Sequence, residues 1–316
     1  MSRLIPHGNL LWKSGEAIHR RFYRPDMKLY TAPLLKSLFL AVILLACGSA
    51  EKPKPHYTEY DLDKPDKFNM PESLFEISGI AFNNGKSDTV YAIQDEEGKL
   101  FRLAWDVKVQ THTKFAKKGD YEDLSILRGQ AVILKSNGTL LSFPIPETGL
   151  EEAVNVKEYK KRFPKGEYEG MYGDEKTGDI YVLCKNCPAD DSKKSVTGYI
   201  VSLDDSISTP RIFSIDVNQI KAIHGKVDRG FRPSAIAKNP VNNNWYIISA
   251  VNKLLVITNS EWKVKDVVSL SSNVFTQPEG IAFDKEGNMY ISNEGDDLSD
   301  GNILKFVRQK NDKNQK

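Results

Sequence analysis

Short apolar runs separated by polar turns recur along this chain with a period near 45 residues. Each unit opens with a phrase made of a small or acidic residue, glycine or a near substitute, and an aliphatic residue. Consecutive phrases start 44, 47, 65 and 45 residues apart. A repeat of this period with strand-like content is typical of propeller blades. The phrases begin at Ser78, Glu122, Glu169, Ser234 and Glu279.

Each unit also contains the pattern expected for the strands of one blade. A second and a third apolar run follow the opening phrase, at residues 89–93 and 100–103 in the first unit. Turn signals such as Asn137-Gly138 separate the runs, because these residues tolerate the positive φ of tight hairpins. The pattern therefore predicts an all-β protein with four-stranded blades. A more polar fourth run is present in four units, at residues 107–115, 153–156, 211–217 and 262–270.

The last unit reaches Phe306 without a fourth run, and the segment before the first phrase can supply one. We expect residues 57–62 to pair into the last blade, since a closed ring leaves no open sheet edge. The prediction is a five-bladed β-propeller over residues 57–308, followed by a disordered tail at 309–316. A six-bladed ring is the alternative, because the 65-residue interval has room for another unit. Residues 218–231 lack a pattern of three strands, however, and loop insertions explain the interval better.

The N-terminal region follows a different pattern. Residues 27–46 combine Lys28 and Lys36 with an apolar stretch at 37–45, which is typical of a secretory signal and too short to cross a bilayer. The stretch Leu44-Leu45-Ala46-Cys47 resembles a bacterial lipobox, so we expect cleavage before Cys47 and lipid attachment there. An ordinary buried cysteine is the alternative. Residues 47–56 would then form a tether, and residues 1–26 an extension produced by an over-called start codon.

Charge and cysteine content narrow the classes of partner. The net charge is +2, and no basic stripe with exposed aromatic residues occurs, so nucleic acid is not an expected partner. We expect a monomer in the bacterial cell envelope, at the outer membrane or its periplasmic face. Cys184 and Cys187 form the other cysteine pair. In an exported protein a local disulfide is the favoured interpretation, with free buried thiols, redox activity or metal binding as alternatives.

The order of the repeated phrases carries a family resemblance. The chain is similar to the SdiA-regulated family of bacterial propellers from about residue 74 to 306. The resemblance implies an exported β-propeller, distantly similar to thermostable phytases, with a link to calcium. The fourth phrase departs from the family pattern, because Arg232-Pro233-Ser234-Ala235 replaces Asp-Leu-Ser-Gly. The phrases that carry the resemblance are Ser78-Gly79-Ile80, Tyr121-Glu122-Asp123-Leu124, Tyr168-Glu169-Gly170-Met171 and Gln277-Pro278-Glu279-Gly280-Ile281.

Candidate metal ligands lie at the start of the innermost strands. Equivalent positions of a propeller repeat converge on the central channel, and Glu122, Glu169 and Glu279 occupy one such position. Glu76 and Asp123 lie beside this position in the first and second units. Crowded carboxylates repel each other unless a cation lies among them, and Ca²⁺ prefers oxygen ligands. The sequence therefore predicts a calcium site at the mouth of the channel.

Two other interpretations of the glutamates stay open. They can accept backbone N–H groups of the neighbouring blade or pair with Arg102 and Arg232, and they can act directly in acid–base catalysis. A second candidate set follows the second strands, on the same face of the ring or on the opposite one. It consists of Asp95, Glu96, Asn293 and Glu294.

Two functions are compatible with these features. The first is a lipid-anchored binding module that presents its loops to a protein, glycan or small-molecule ligand, with calcium at the channel. The second is a metal-dependent hydrolase of a phosphoester, as in phytases, or of a lactone. The sequence lacks a nucleophile elbow, a phosphate-binding glycine loop and a zinc-binding helix, which favours the binding module. Whether the protein is an enzyme is left open.

Overall fold

The computed structural model describes residues 59–105, 110–204 and 209–309. Its strands form five antiparallel sheets of four strands each, which confirms the prediction of an all-β, five-bladed propeller. The predicted signal, the lipid-attachment residue Cys47, the tether and most of the C-terminal tail lie outside the described residues. Within the described residues, no helix is long and apolar enough to cross a membrane.

The strands follow the order of the apolar runs. Strands β2 to β17 form blades 1 to 4, with four consecutive strands in each blade. Strand β1 (Asp66–Asn69) comes first in the chain and belongs to blade 5. Blade 1 contains β2 (Ile77–Asn83), β3 (Lys86–Gln94), β4 (Lys99–Leu103) and β5 (Thr111–Lys114). Blade 2 contains β6 (Tyr121–Leu127), β7 (Gln130–Lys135), β8 (Leu140–Pro144) and β9 (Lys157–Tyr159). Blade 3 contains β10 (Glu167–Gly173), β11 (Asp179–Asn186), β12 (Ser195–Ser202) and β13 (Arg211–Asp216). Blade 4 contains β14 (Ala235–Lys238), β15 (Trp245–Ser249), β16 (Leu254–Thr258) and β17 (Val264–Ser269). Blade 5 contains β18 (Pro278–Phe283), β19 (Met289–Asn293) and β20 (Asn302–Phe306), together with β1.

One α-helix occupies the long interval that made a sixth blade conceivable. Helix α1 (Val217–His224) follows β13 directly, and the Asp216 side chain caps it by accepting a hydrogen bond from the Asn218 N–H. Two short 3₁₀ segments, Glu72–Leu74 and Ile145–Gly149, lie in connections between strands. The interval therefore contains a helical insertion, and the described residues form five blades.

The closing strand lies a few residues later than the sequence predicts. Strand β1 pairs with β20, so residues 66–69 rather than 57–62 complete blade 5. Tyr60 is instead a buried anchor, whose hydroxyl donates to the Gly287 carbonyl at 2.6 Å and accepts from Asn239 Nδ2 at 2.8 Å. Residues 57–62 include two tyrosines, a residue type that favours strands, but the Tyr60 ring is buried by packing against Tyr246 and Phe283.

Neighbouring innermost strands pack closely around the channel. A Cβ added at Gly79 would lie 2.5 Å from the Leu124 nitrogen, so glycine lets blade 1 approach blade 2. The Ser292 hydroxyl of blade 5 donates to the Ser78 carbonyl of blade 1 at 2.6 Å, which closes the ring on the other side. Buried apolar clusters fill the space between adjacent blades, for example around Ile133 between blades 1 and 2. The ring thus holds the innermost strands side by side, all running in one direction.

Candidate functional site

The innermost strands begin at one end of the channel, and carboxylates gather there. We call this group the acidic mouth; it includes Lys185 from strand β11, and the charge of Lys253 from blade 4 also reaches Glu279. Successive carboxylates are close enough that each raises the pKa of a neighbour by charge repulsion. Glu122, Glu169 and Glu279 come from three different innermost strands, as the repeat predicts. Glu76 lies directly before a fourth innermost strand, β2. The carboxylates of the acidic mouth are Glu76, Asp95, Glu122, Glu169, Glu279 and Glu294.

A β-bulge lies at each of the three repeated glutamates. The pairing of the innermost strand with its neighbour shifts around Glu122, around Glu169 and around Glu279. A bulge leaves the extra residue out of the ladder and turns its side chain away from the regular face of the sheet. The bulges therefore explain why these side chains reach the channel. Blade 1 has a similar shift around Ser78, without a glutamate, and strand β14 of blade 4 begins only after the equivalent residue Ser234.

Glu169 and Lys185 form the ion pair at the centre of the acidic mouth. The Lys185 ammonium contacts Glu169 Oε1 and lies within reach of the charges of Glu122 and Glu279. Glu169 is only 8% exposed, and its second oxygen, Oε2, is buried without a hydrogen-bond partner among the described residues. The Lys185 ammonium contacts only Oε1, so Glu169 Oε2 can still accept a hydrogen bond from another group.

Burial is the main reason that the carboxyl groups of the mouth hold their protons strongly. It raises the pKa of Glu122 to about 9, with a further contribution from the charge of Glu169. It raises the pKa of Glu169 to about 7, although Lys185 opposes the change. The pKa of Glu279 rises to about 7 through burial and the charge of Glu294. At neutral pH the mouth therefore contains both protonated and ionised carboxyl groups.

The second acidic set divides between the mouth and other positions. Burial and the charge of Asp95 raise the pKa of Glu294 to about 7, and burial and the charge of Glu76 raise that of Asp95 to about 6. Asp95 and Glu294 therefore lie at the same end of the channel as the repeated glutamates. The sequence alone did not decide between this face of the ring and the opposite one. Glu96 is exposed and pairs with Lys118 at 3.5 Å. Asn293 is buried and donates from Nδ2 to Asn302 Oδ1 at 3.0 Å.

Asp123 holds two blades together. It is buried, and its two carboxylate oxygens accept hydrogen bonds from the Leu124 N–H at 2.7 Å and the Met171 N–H at 2.6 Å. Both oxygens are used by main-chain donors, so we leave Asp123 out of the ligand set. Its contacts match the structural alternative that the sequence offered for the acidic phrases.

Lys185 is the functional residue that sequence reasoning missed. Arg102 and Arg232 were the expected partners of the glutamates, whereas Lys185 makes the contact. A disulfide joins Cys184 to Cys187, with a Cα–Cα distance of 5.9 Å, and Lys185 lies between them. The signal available in the sequence was this position, because a short disulfide loop at the end of the second strand of a blade fixes the backbone of the residue that it encloses.

The described side chains do not fit a metal site as they stand. No group of three or more His, Cys, Asp or Glu residues in the described ranges is arranged to hold a metal ion. A cation is nevertheless present among the carboxylates, because the Lys185 ammonium contacts Glu169. Calcium binding stays a prediction.

Comparisons with solved structures find distant propeller-like neighbours. The first is a luciferin-regenerating enzyme, with 10% identity over 77% of this chain and 95% of that chain, at a TM-score of 0.48. The second is virginiamycin B lyase from Staphylococcus aureus, with 13% identity over 73% of this chain and 67% of that chain, at a TM-score of 0.40. The third is the PQQ-bound aldose sugar dehydrogenase from Streptomyces coelicolor, with 10% identity over 77% of this chain and 98% of that chain, at a TM-score of 0.46.

The family comparison is more informative. No curated protein matches the chain. The family model of SdiA-regulated proteins matches residues 211–297, from strand β13 through blade 4 to the loop after β19. This match contains the fourth phrase, with its departure from the family pattern, and Glu279 and Glu294 of the acidic mouth. The chain is therefore a five-bladed β-propeller in which residues 211–297 match the SdiA-regulated family model.

Proposed function

We propose that this protein is an exported binding module, anchored to the membrane through lipid at Cys47, whose acidic mouth binds a cationic group of a ligand. The ligand is a protein, a glycan or a small molecule of the bacterial envelope. The lipobox-like sequence supports the anchor, and the propeller supports the role of a rigid platform that presents loops around one channel.

The observation that carries the proposal is the unused acceptor capacity of the mouth. Glu169 is buried with one unpartnered oxygen, and Glu122, Glu279 and Glu294 surround it with further carboxyl groups. A buried acceptor without a partner costs free energy, of about 1–3 kcal/mol for a typical group. A ligand that supplies a positive donor removes this cost, so cation binding is favourable at this position.

An alkylammonium group fits the mouth better than a metal ion. The mouth already accommodates the Lys185 ammonium against Glu169, which supports binding of a second group of the same chemistry. Calcium is the alternative cation, and it would require the carboxylates to move into a common coordination sphere. Both cations would be attracted by the same negative charge, so a direct comparison of the two is needed.

Thermal melting of the full chain in the presence of either cation tests the proposal. Cadaverine provides the alkylammonium group, calcium chloride the metal, and a chelator the metal-free reference. A ligand that binds only the folded state raises the free energy of unfolding by about 2.7 kcal/mol at about 100 times its dissociation constant. We expect cadaverine to raise the melting temperature of the parent, and Glu169→Gln to abolish most of that gain.

A matched variant separates this effect from general charge screening. Glu152 is an exposed carboxylate that pairs with Lys114 at 3.3 Å, outside the acidic mouth. Glu152→Gln should respond to cadaverine as the parent does. A gain with calcium but not with cadaverine would assign the mouth to the metal. No gain with either cation would overturn the proposal.

A second candidate function is acid–base hydrolysis at the same mouth. Carboxyl groups with pKa values near 7 are suited to proton transfer at neutral pH, and Glu169 and Glu279 both have values of about 7. Phosphoester and lactone substrates test this candidate. Turnover that is lost in Glu169→Gln and retained in Glu152→Gln would favour the enzyme over the binding module.

A further inference from the structure

The channel has a second end, where the innermost strands finish, and its character differs from that of the acidic mouth. A cavity of about 360 Å³ lies there, lined by residues of all five blades. Glu169 and Gly173 mark the two ends along strand β10, and four residues of strand span about 13 Å. We call this cavity the lower chamber. It shares none of the carboxylates of the acidic mouth.

The walls of the lower chamber are mainly apolar. Phe82, Ile126, Ile281 and Phe283 line it at the ends of their strands, and Met171 lies deeper along the wall. A cavity of this size with apolar walls and a small number of polar groups is typical of a small-molecule binding site. The size and the walls therefore favour a ligand with a compact apolar body.

Glu175 at the rim of the lower chamber accepts the Arg128 N–H at 2.7 Å, and two aspartates at or beside the rim are already used. Asp174 Oδ1 accepts hydrogen bonds from the main-chain N–H groups of Lys176 and Thr177, at 3.0 and 3.3 Å. Asp284 accepts from two main-chain N–H groups, an asparagine side chain and the Tyr290 hydroxyl. These acids cap the turns in which they lie, so they have little capacity left for a ligand.

Three lysines line the chamber, Lys176, Lys238 and Lys285, and Lys238 has unused donors. Lys238 lines the chamber, and its Nζ lies 3.5 Å from Asp174 Oδ2, a long contact for a hydrogen bond. The same ammonium lies 5.3 Å from the centre of the Trp245 ring, which fixes its side chain over the aromatic face. An ammonium group has three N–H donors. Within the described residues, only the long contact with Asp174 uses one of those of Lys238. This end of the channel therefore has a positively charged donor with unused N–H groups beside an apolar cavity.

We propose that the lower chamber binds a small amphipathic anion, with its apolar body between the blades and its acidic head group on Lys238. The head group is a sulfonate, carboxylate or phosphate, since each offers oxygen acceptors to an ammonium group. This site is independent of cation binding at the acidic mouth.

Paired fluorescent probes test the site in the full chain. The probe 8-anilino-1-naphthalenesulfonate has an apolar body with one sulfonate, and N-phenyl-1-naphthylamine has nearly the same body without the charge. We expect the sulfonate to bind at one site per chain and the neutral probe to bind about tenfold more weakly. Lys238→Met keeps the apolar stem over Trp245 but removes the charge, so it should weaken sulfonate binding by about tenfold and leave the neutral probe unchanged.

Two further variants keep the result interpretable. Lys238→Arg retains a positive donor and should restore most of the sulfonate affinity, which a general loss of packing would not allow. Lys265→Met removes an exposed lysine from the outer strand of the same blade and should bind both probes as the parent does. The proposal is overturned if the two probes bind the parent equally, if the sulfonate binds at several equivalent sites, or if Lys238→Met binds it as tightly as the parent.

Discussion

Replacement of Glu169 by glutamine should stabilise the protein at alkaline pH, although it removes half of an ion pair. Burial raises the pKa of Glu169 from 4.5 to about 7, and Lys185 only partly opposes this change. The folded state therefore binds the Glu169 proton more tightly than the unfolded state. By linkage, the contribution of this group is fully present below about pH 4.5 and is lost as the pH rises through about 7.

The size of the effect follows from the same pKa values. The interval from 4.5 to about 7, at about 1.4 kcal/mol for each pH unit, corresponds to roughly 3 kcal/mol for a group that is 8% exposed. Glutamine has a similar shape and cannot ionise. We therefore expect parent and Glu169→Gln to have similar free energies of unfolding near pH 5, and the variant to be more stable by up to roughly 3 kcal/mol near pH 8.

Urea denaturation of both proteins at a series of pH values measures this difference. The other carboxyl groups of the mouth titrate in both proteins, so the difference between the two curves reports Glu169 together with its effect on the pKa of Glu122 and Glu294. Glu152→Gln should follow the parent within about 0.5 kcal/mol, because exposed ion pairs contribute little. A Glu169→Gln variant that is less stable than the parent near pH 8 would refute the reasoning, since the ion pair would then outweigh the burial of the charge.

Three further outcomes are expected. Cys47→Ser should prevent lipid attachment and move the protein from the detergent phase to the aqueous phase, and unchanged partitioning would contradict the lipoprotein assignment. Asp123→Ala should lower the free energy of unfolding by about 2–4 kcal/mol in urea denaturation, because two buried N–H groups lose their acceptor; a change below about 0.5 kcal/mol would exclude a bridging role. Loss of the disulfide in Cys184→Ala/Cys187→Ala should cost roughly 2 kcal/mol, the value expected for so short a loop, and a parent that is insensitive to reductant in the same assay would argue against it.

The sequence predicts most of the fold because blade strands are short, buried on both faces and separated by turn residues. The apolar runs near Val90, Ile133 and Ile247 coincide with second strands of their blades. The closing strand was misplaced for the opposite reason. Strand β1 is exposed along most of its length, and only Phe68 is half-buried, so it lacks the alternation that identifies a strand.

The site was only partly predictable. The repeat places Glu122, Glu169 and Glu279 at one level of the ring, and this follows from the register of the phrases. The contact with Lys185 does not, because it depends on the side chain of a second strand crossing toward the channel. The grouping of Glu294 with the repeated glutamates also requires the real path of the loop after β19, which no local pattern in the sequence specifies.

The fourth phrase contributes to the asymmetry of the acidic mouth. Blade 4 has Ser234 and blade 1 has Ser78 where blades 2, 3 and 5 have a glutamate, and strand β14 begins only after this position. The Ser234 hydroxyl instead interacts with Glu279 of the next blade and favours the ionised form of that carboxyl group. Blade 4 therefore contributes a neutral donor and the ammonium of Lys253, and blade 3 contributes the ammonium of Lys185, so the carboxyl groups come from blades 1, 2, 3 and 5. A bulge directs each repeated glutamate into the channel. Regular pairing at Glu169 would therefore turn its carboxylate away from the mouth even though the residue itself stayed the same. The charge pattern of this end of the channel thus depends on backbone geometry as much as on composition.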